Sequence, residues 1–241
     1  MLSRKHRTLL LLMAPPVGVM GIVRYALNGG LAVAALCAML SFFAVCDGWY
    51  FVRLMWWTLC ETVHDTMHPG DKRQCIFSKS ILSGRVLPVD VDRNAHYNNA
   101  RFLRECGFAR RHFWHNNGVW RLLKLTNGNL VVGAQSVRFR RELSLWQQYS
   151  IETRLLCWDD RAFYLEHRFV TINGKTHKPF VNAIILVKNT VIGKLSPAQL
   201  VEKLPGLDEK ESANATMPED VLKWIQSNDI SSKALRMEST M

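Results

Sequence analysis

The stretch VDVDRNAHYNNARFL, residues 89–103, holds five polar side chains that could do acid–base or hydrogen-bond chemistry. They are Asp92, Asn94, His96, Asn98 and Asn99. A carboxylate can activate water or attack directly, an imidazole can relay a proton near neutral pH, and a carboxamide can orient water. Turn and helix-cap chemistry explains one or two such residues, but five at one junction indicate an active site.

Two regular elements are expected to position these side chains. Apolar and acidic residues alternate at the start of the stretch, which indicates a short strand. Further on, apolar residues four, three and four positions apart predict one buried face of a helix: Phe102, Cys106, Ala109 and Phe113. Cys106 is therefore interpreted as a core residue and not as a nucleophile.

Strand-like segments separated by turns follow this helix. The predicted strands are 129–140, 149–158, 162–172 and 180–187. Ser196-Pro197 has the pattern of an N-cap followed by a first-turn proline and predicts a short helix to about Leu204. A long helix followed by antiparallel strands predicts an α+β fold, in which a curved sheet wraps around the helix.

The composition limits the classes of partner. The chain has 241 residues, a formal net charge of +11 and a pI of about 9.6, which favours anionic partners. It contains no RNA-binding signature or zinc-finger spacing, so nucleic acid is not expected as a partner. Cys60, His64 and His68 are four residues apart, but Pro69-Gly70 then breaks the helix. No metal and no cofactor are predicted.

The front of the chain predicts a membrane segment. From Tyr25 to Cys46 there are 22 consecutive uncharged residues, which as one helix would reach about 33 Å and cross a bilayer core. Trp49, Tyr50 and further tryptophans follow, as at the headgroup level of a membrane. A buried core helix is the alternative. We divide the chain into an extension (1–24), a transmembrane anchor with an aromatic segment (25–58), a linker (59–75), a folded domain (76–204) and a tail (205–241).

The side of the membrane that the domain faces stays open at this point. One span with a basic N-terminus places the domain outside the cytosol, whereas a hairpin that includes residues 8–23 places it inside. The sequon Asn214-Ala215-Thr216 can be glycosylated only in the lumen. The endoplasmic reticulum membrane is the expected location, with a mitochondrial or a secreted protein as alternatives.

Two long stretches resemble a known family. They are GRVLPVDVDRNAHYNNARFLRECGFAR and TRLLCWDDRAFYLEHRFV. They are similar to the thioesterase superfamily member six group, a branch of the hotdog-fold, 4-hydroxybenzoyl-CoA thioesterase-like enzymes. The similarity runs from about Leu31 to the C-terminus. It implies a hotdog fold, a homodimer with sites at the interface, and an acyl-CoA or other acyl thioester as substrate.

A more distant resemblance suggests roles for single residues. Plant acyl-carrier-protein thioesterases carry a D-x-N-x-H run, which Asp92, Asn94 and His96 match, and a Y-R-R-E-C stretch, in which Glu142 matches the catalytic Glu. In 4-hydroxybenzoyl-CoA thioesterases, the acid that matches Asp92 is the nucleophile or base. Two positions depart from these patterns: Leu143 replaces the cysteine, and Ala95 replaces a glycine that helps bind the thioester carbonyl.

The resemblance and the chemistry of the residues together give two kinds of site residue. The catalytic candidates are Asp92, Asn94, His96 and Glu142. The substrate-binding candidates are Asn98, Asn99, Arg138, Arg140 and Arg141. The arginines could receive the phosphates of coenzyme A or of a phosphopantetheine arm, although a solvated strand face explains them equally well.

Two functions from different classes remain after this reasoning. The first is a membrane-anchored hydrolase of fatty acyl thioesters. The second is an inactive hotdog protein that binds acyl chains or acts as a membrane scaffold, which Ala95 and Leu143 favour. The tail has Val221, Trp224 and Ile225 at helical spacing and could pack on the domain or recruit a partner.

Overall fold

The computed structural model describes residues 14–45, 47–68, 73–172, 174, 176–204 and 217–239. The chain forms two compact units, residues 1–71 and residues 72–241.

The first unit is helical in its described part. Residues 14–21 and Ile22–Ala26 form two short helical segments, and α1 (Leu31–Val45) and α2 (Gly48–Met67) follow. The expected continuous helix from Tyr25 to Cys46 is wrong, because the chain leaves helical geometry before α1 begins. Asp47 caps α2, since its Oδ1 accepts a hydrogen bond from the Tyr50 N–H at 3.2 Å.

Among the described helices, no single one is long and apolar enough to cross a membrane. The pair α1 and α2 meets that test of length and composition together, with their axes 98° apart. The predicted N-terminal transmembrane helix therefore stays a prediction.

The second unit contains a five-stranded antiparallel sheet. Its strands are β1 (Ser80–Arg85), β2 (Asn129–Phe139), β3 (Gln148–Trp158), β4 (Ala162–Ile172) and β5 (Pro179–Ile192), in the order β1-β3-β4-β5-β2. The four strands expected after the helix are confirmed, and β5 is longer than expected. The strand expected at Val89 is wrong: Pro88–Asp90 is a single 3-10 turn, and the strand before the site is β1.

The long helix α3 (Asn99–Asn116) packs on one face of this sheet. Phe102, Cys106, Ala109 and Phe113 are all buried, which confirms the predicted apolar face. The Phe102 ring lies 4.7 Å from the Phe169 ring on β4, so helix and sheet share one core. Burial raises the pKa of the Cys106 thiol to about 12, which supports its interpretation as a core residue.

The described part of the second unit contains three further helices: α4 (Val119–Leu125), α5 (Pro197–Glu202) and α6 (Glu219–Glu238). Ser196 caps α5 in a capping box with Gln199, as the sequence predicts. In the tail, Val221, Trp224 and Ile225 pack with Tyr164 in a second apolar cluster. The tail therefore packs on the domain.

Candidate active site

The chain reaches α3 through a tight turn. The Ala95 N–H donates to the Asp92 carbonyl at 3.0 Å, and the Asp92 N–H donates to the His96 carbonyl at 2.9 Å. The Asp92 Oδ1 accepts from the Asn94 N–H at 2.9 Å. Asp92 and Asn94 are therefore parts of one turn and not alternate positions along a strand.

Ala95 adopts the left-handed conformation within this turn, with φ of 60°. This region of the φ/ψ map suits glycine, which has no Cβ to clash, better than alanine. Ala95 is exposed, so its methyl group has room in spite of the backbone conformation. The departure at Ala95 thus leaves the turn in place.

The structure brings His96 and Glu142 together. The His96 Nε2 lies 3.1 Å from the Glu142 Oε2. The contact arises because His96 forms an antiparallel bridge with Ser144, and the neighbouring Tyr97 N–H donates to the Leu143 carbonyl at 2.9 Å. Both side chains are about half exposed to solvent, so the pair contributes under about 1 kcal/mol to stability. The main effect of the contact is therefore to orient the His96 imidazole.

Leu143 points the other way. It is fully buried in the main core, while the adjacent Glu142 is exposed. The side chain at position 143 therefore belongs to the core. A cysteine at this position would not lie beside the His96–Glu142 pair.

Asn98 and Asn99 begin α3. The Asn98 Oδ1 accepts from the Ala100 N–H at 2.9 Å, so Asn98 is the N-cap of the helix. Asn99 is exposed at the first helical position. Their predicted contact with substrate stays a prediction.

Backbone donors at this helix start are largely occupied. In the described stretch from His96 to Arg101, the N–H groups of Tyr97, Asn98, Ala100 and Arg101 all donate to protein acceptors. Within that described stretch, the N–H groups of His96 and Asn99 have no protein acceptor. These two are consequently the donors best placed to meet an anion at the positive end of α3.

Two of the three candidate arginines cluster around one aromatic ring. The guanidinium carbons of Arg140 and Arg141 lie 5.1 Å and 3.8 Å from the centre of the Phe180 ring. The backbone N–H groups of both arginines donate to the Asn182 carbonyl, at 2.8 and 3.0 Å. Arg138 lies on β2, paired with Ile184 of β5. The cation–π contacts orient Arg140 and Arg141, whereas their role towards phosphate stays a prediction.

Asp90 is an acid that the sequence reasoning missed. It is buried, and its Oδ1 lies 2.6 Å from the Arg104 Nη2 on α3. Its Oδ2 accepts from the Leu87 N–H at 3.1 Å, and its carbonyl accepts from the Asn98 N–H at 2.8 Å. Asp90 thereby ties the 3-10 turn before the site to the N-cap and the second turn of α3. The signal in the sequence was Arg104, on the same side of α3 as Arg101.

Two buried tyrosines, Tyr97 and Tyr149, contact each other in the core next to the turn. The Tyr97 hydroxyl lies 3.2 Å from the Tyr149 hydroxyl, and Tyr97 is buried. Burial and the neighbouring Tyr149 raise the pKa of Tyr97 above its ordinary value, so it stays protonated. A Cβ on Gly84 would lie 2.6 Å from the Tyr149 ring, so any larger residue there would force this ring to shift.

An open groove of about 840 Å³ is lined in part by Trp146 and Gln147, which follow Glu142 in the chain. It is bordered by the ends of β1, β3 and β4 and by the loop that follows Glu142, and its lining residues are Ser83, Gly84, Arg85, Trp146, Gln147, Gln148, Tyr149, Ser150, Val170 and Ile172. Its volume is in the range of about 300–1,000 Å³ that small-molecule sites occupy. Among the described residues, no group of three His, Cys, Asp or Glu side chains is placed to hold a metal ion.

Residues 86–225 match the family described as the thioesterase-like superfamily. The chain belongs to the thioesterase-like superfamily. The resemblance to the member six group is confirmed by its relatives. Protein THEM6 of Xenopus laevis is 35% identical over 205 residues, covering 85% of this chain and 92% of that protein. Protein THEM6 of Drosophila melanogaster is 29% identical over 204 residues, covering 84% and 98%.

A solved structure agrees with this membership at the level of fold. The acyl-CoA hydrolase from Staphylococcus aureus, solved in complex with butyryl coenzyme A, coenzyme A and coenzyme A disulfide, has a TM-score of 0.50 and 12% identity. The match covers 71% of this chain and all of that one. The predicted hotdog fold is confirmed, and this thioesterase-like protein has the long helix α3 packed on a five-stranded antiparallel sheet.

Proposed function

We propose that this protein hydrolyses fatty acyl-CoA-type thioesters at the turn that leads into α3. The observation that carries the proposal is the 3.1 Å contact between His96 Nε2 and Glu142 Oε2, beside the N-terminus of the hotdog helix. Membership of the thioesterase-like superfamily supports the reaction class. The acyl-CoA hydrolase that shares the fold binds butyryl coenzyme A, which supports a coenzyme A thioester as the substrate.

The proposed reaction uses few groups. Glu142 orients the His96 ring, and His96 takes a proton from the water that attacks the thioester carbonyl carbon. The developing oxyanion accepts hydrogen bonds from backbone N–H groups at the start of α3, with Asn99 as the first helical donor. The carbon–sulfur bond then breaks, and the leaving thiolate receives the proton from His96.

Asp92 acts on the same water in this proposal. Its Oδ1 accepts the Asn94 N–H, and a carboxylate has a second oxygen that can accept from water. Asn94 holds the turn by its backbone, and its exposed side chain is the weakest of the four catalytic candidates.

The proposal is tested with the purified full chain and a panel of acyl-CoA chain lengths. We expect His96→Ala and Asp92→Asn each to lower kcat by about 10²–10⁴-fold, the range of general-base catalysis, with unchanged circular dichroism. Glu152→Gln is a matched control, because Glu152 lies on β3, pairs with Lys79 and takes no part in the turn. No turnover by the wild-type chain at any length would overturn the proposal.

We also propose that the first unit anchors the protein to the endoplasmic reticulum membrane. The fifteen residues of α1 include no charged side chain, and large apolar residues are exposed along it. Resistance of the native protein to carbonate extraction tests the anchor, and co-localisation with organelle markers tests the compartment. The sequon at Asn214 lies outside the described residues; a mobility shift on endoglycosidase treatment would place the domain in the lumen.

A homodimer is part of the same proposal. The strand β2 is at the edge of the sheet and has eleven residues, with Val131 and Val132 exposed by 40% and 44%. An edge strand of this length pairs readily with a second copy of itself. Analytical ultracentrifugation should give twice the chain mass of 27.7 kDa, and a single-chain mass would contradict it.

The second candidate is an acyl-thioester binding protein without turnover. The left-handed Ala95 in place of glycine, and the Asp92 Oδ1 that its own turn occupies, favour it. Calorimetry with a non-hydrolysable acyl-CoA thioether separates the two candidates. Binding together with turnover of the natural thioester supports the enzyme, and binding without turnover supports the second candidate.

A further inference from the structure

The helix α2 exposes apolar side chains along one face. Six of its seven exposed large apolar residues span its whole length and lie within about 80° of arc, at about 100° per residue. These six residues, called the α2 stripe below, are Trp49, Val52, Trp56, Leu59, Val63 and Met67, and they are exposed by 38–69%. The seventh, Met55, lies about 80° from the centre of that arc.

The acidic side chains of α2 occupy the other side of the helix. Glu61 and Asp65 lie about 160° from the centre of the α2 stripe, and the Asp65 side chain is 42% exposed. A surface helix of a water-soluble protein exposes its charged face and covers its apolar face, whereas α2 also exposes the apolar one. The exposed face of α2 therefore suits an apolar environment better than water.

The neighbouring helix α1 extends this apolar surface. It carries no charged residue, and several of its large side chains are more than half exposed: Leu31, Val33, Leu36, Met39, Leu40 and Val45. Its axis makes an angle of 98° with that of α2. If α1 enters a bilayer along the membrane normal, α2 lies nearly parallel to the membrane surface.

Charge favours an anionic surface. The first 46 residues contain Arg4, Lys5, Arg7 and Arg24 and no Asp or Glu. Basic residues beside an apolar segment are attracted to anionic lipid headgroups, at about 1 kcal/mol each near the surface. The two tryptophans of the stripe have amphipathic rings of the kind found at the headgroup level.

We propose that α2 lies in the plane of the membrane surface, with the α2 stripe inserted between anionic lipids. The proposal rests on the membrane anchoring proposed above and adds the orientation of α2. The stripe reaches the boundary of headgroups and acyl chains, as in other interfacial helices, while Glu61 and Asp65 face the water. Lipid is a better occupant than a second copy, because the exposed apolar side chains of α1, a helix without charged residues, also need an apolar environment.

A depth measurement on the full chain tests this orientation. The chain is reconstituted in vesicles of phosphatidylcholine and phosphatidylserine, with a nitroxide attached to a single ketone-bearing amino acid so that the native cysteines stay. Labels at Val52, Leu59 and Val63 should have nearly equal depth, about 5–10 Å below the surface. Labels at Glu61 and Asp65 are the matched controls and should be accessible to a water-soluble relaxation agent.

Three results would overturn the proposal. A depth that increases from Val52 to Leu59 by the rise of a perpendicular helix, about 10 Å over seven residues, means that α2 crosses the bilayer. Water-exposed labels along the stripe mean that α2 does not insert, and dipolar coupling between labels means that a second copy covers it. If carbonate extracts the chain, the anchoring itself fails; a retained chain with water-exposed stripe labels overturns the orientation alone.

Discussion

The Arg104 Nη2 lies 2.6 Å from the Asp90 Oδ1, and both side chains are almost fully buried. This contact joins the 3-10 turn before the candidate site to the second turn of α3. Arg104 also lies 3.2 Å from the Glu105 Oε1, so one guanidinium serves two buried carboxylates. The position of the site turn thus depends on a pair of charges that does no chemistry itself.

Removal of one partner from this pair should destabilise the protein. Asp90→Asn leaves the buried Arg104 charge without its strongest partner, and we expect a loss of about 3 kcal/mol in the free energy of unfolding. Urea denaturation measures it. Lys79→Gln is the matched control, because it breaks the more exposed pair with Glu152 and should cost under about 1 kcal/mol. Equal effects of the two substitutions would contradict this account.

Two glycines of the second unit should respond in opposite directions to alanine. A Cβ on Gly84 meets the Tyr149 ring at 2.6 Å, so Gly84→Ala should cost about 1–3 kcal/mol. Gly107 lies within α3, and a Cβ there meets only the Arg110 Nη2, at 3.9 Å. Gly107→Ala should therefore stabilise by about 0.5–1 kcal/mol, since alanine favours the helix. Thermal unfolding decides the sign of each change.

The pH dependence of stability should reflect His167. This residue is fully buried on β4, and its Nδ1 lies 2.8 Å from the Thr153 Oγ1. Burial, with a smaller effect of the Arg110 charge, holds the pKa of His167 well below its ordinary value of 6.5. The unfolded chain therefore binds this proton first as the pH falls. Stability should fall below pH 6.5 by up to about 1.4 kcal/mol per pH unit.

His167→Gln isolates this contribution from other titrating groups. The glutamine amide can still bond to Thr153 but does not titrate. Urea denaturation of the variant between pH 7 and pH 5 should show a slope shallower than that of the wild type by that amount. Parallel slopes would mean that His167 is already charged in the folded protein.

Periodicity predicted the scaffold of this protein well. The helix face of Phe102 and Phe113, the four strands after it and the capped α5 follow from local patterns of apolar residues and turn residues. The tail helix followed from the spacing of Val221 and Trp224. Each of these elements buries one face, so the spacing of its apolar residues matches the period of a helix or a strand.

Local patterns predict the wrong structure where tertiary contacts override the alternation of apolar and polar residues. The acidic and apolar alternation at residues 89–92 resembles a strand, but Asp90 turns inward to meet Arg104, and the chain forms a turn. Tyr97 and Tyr149 are 52 residues apart in the sequence, so their hydroxyl contact has no local signal. The resemblance to thioesterases placed Glu142 beside the site, and spacing alone would not have done so.

The central claim is that His96 and Glu142 act as one catalytic unit. A double-mutant cycle on kcat/KM for an acyl-CoA substrate tests it most directly, with His96→Ala, Glu142→Gln and the two combined, and with Glu152→Gln as the control. We predict that Glu142→Gln lowers kcat/KM in the wild type but changes it little once His96 is alanine. Losses that simply add, or a Glu142→Gln variant as active as wild type, would contradict it.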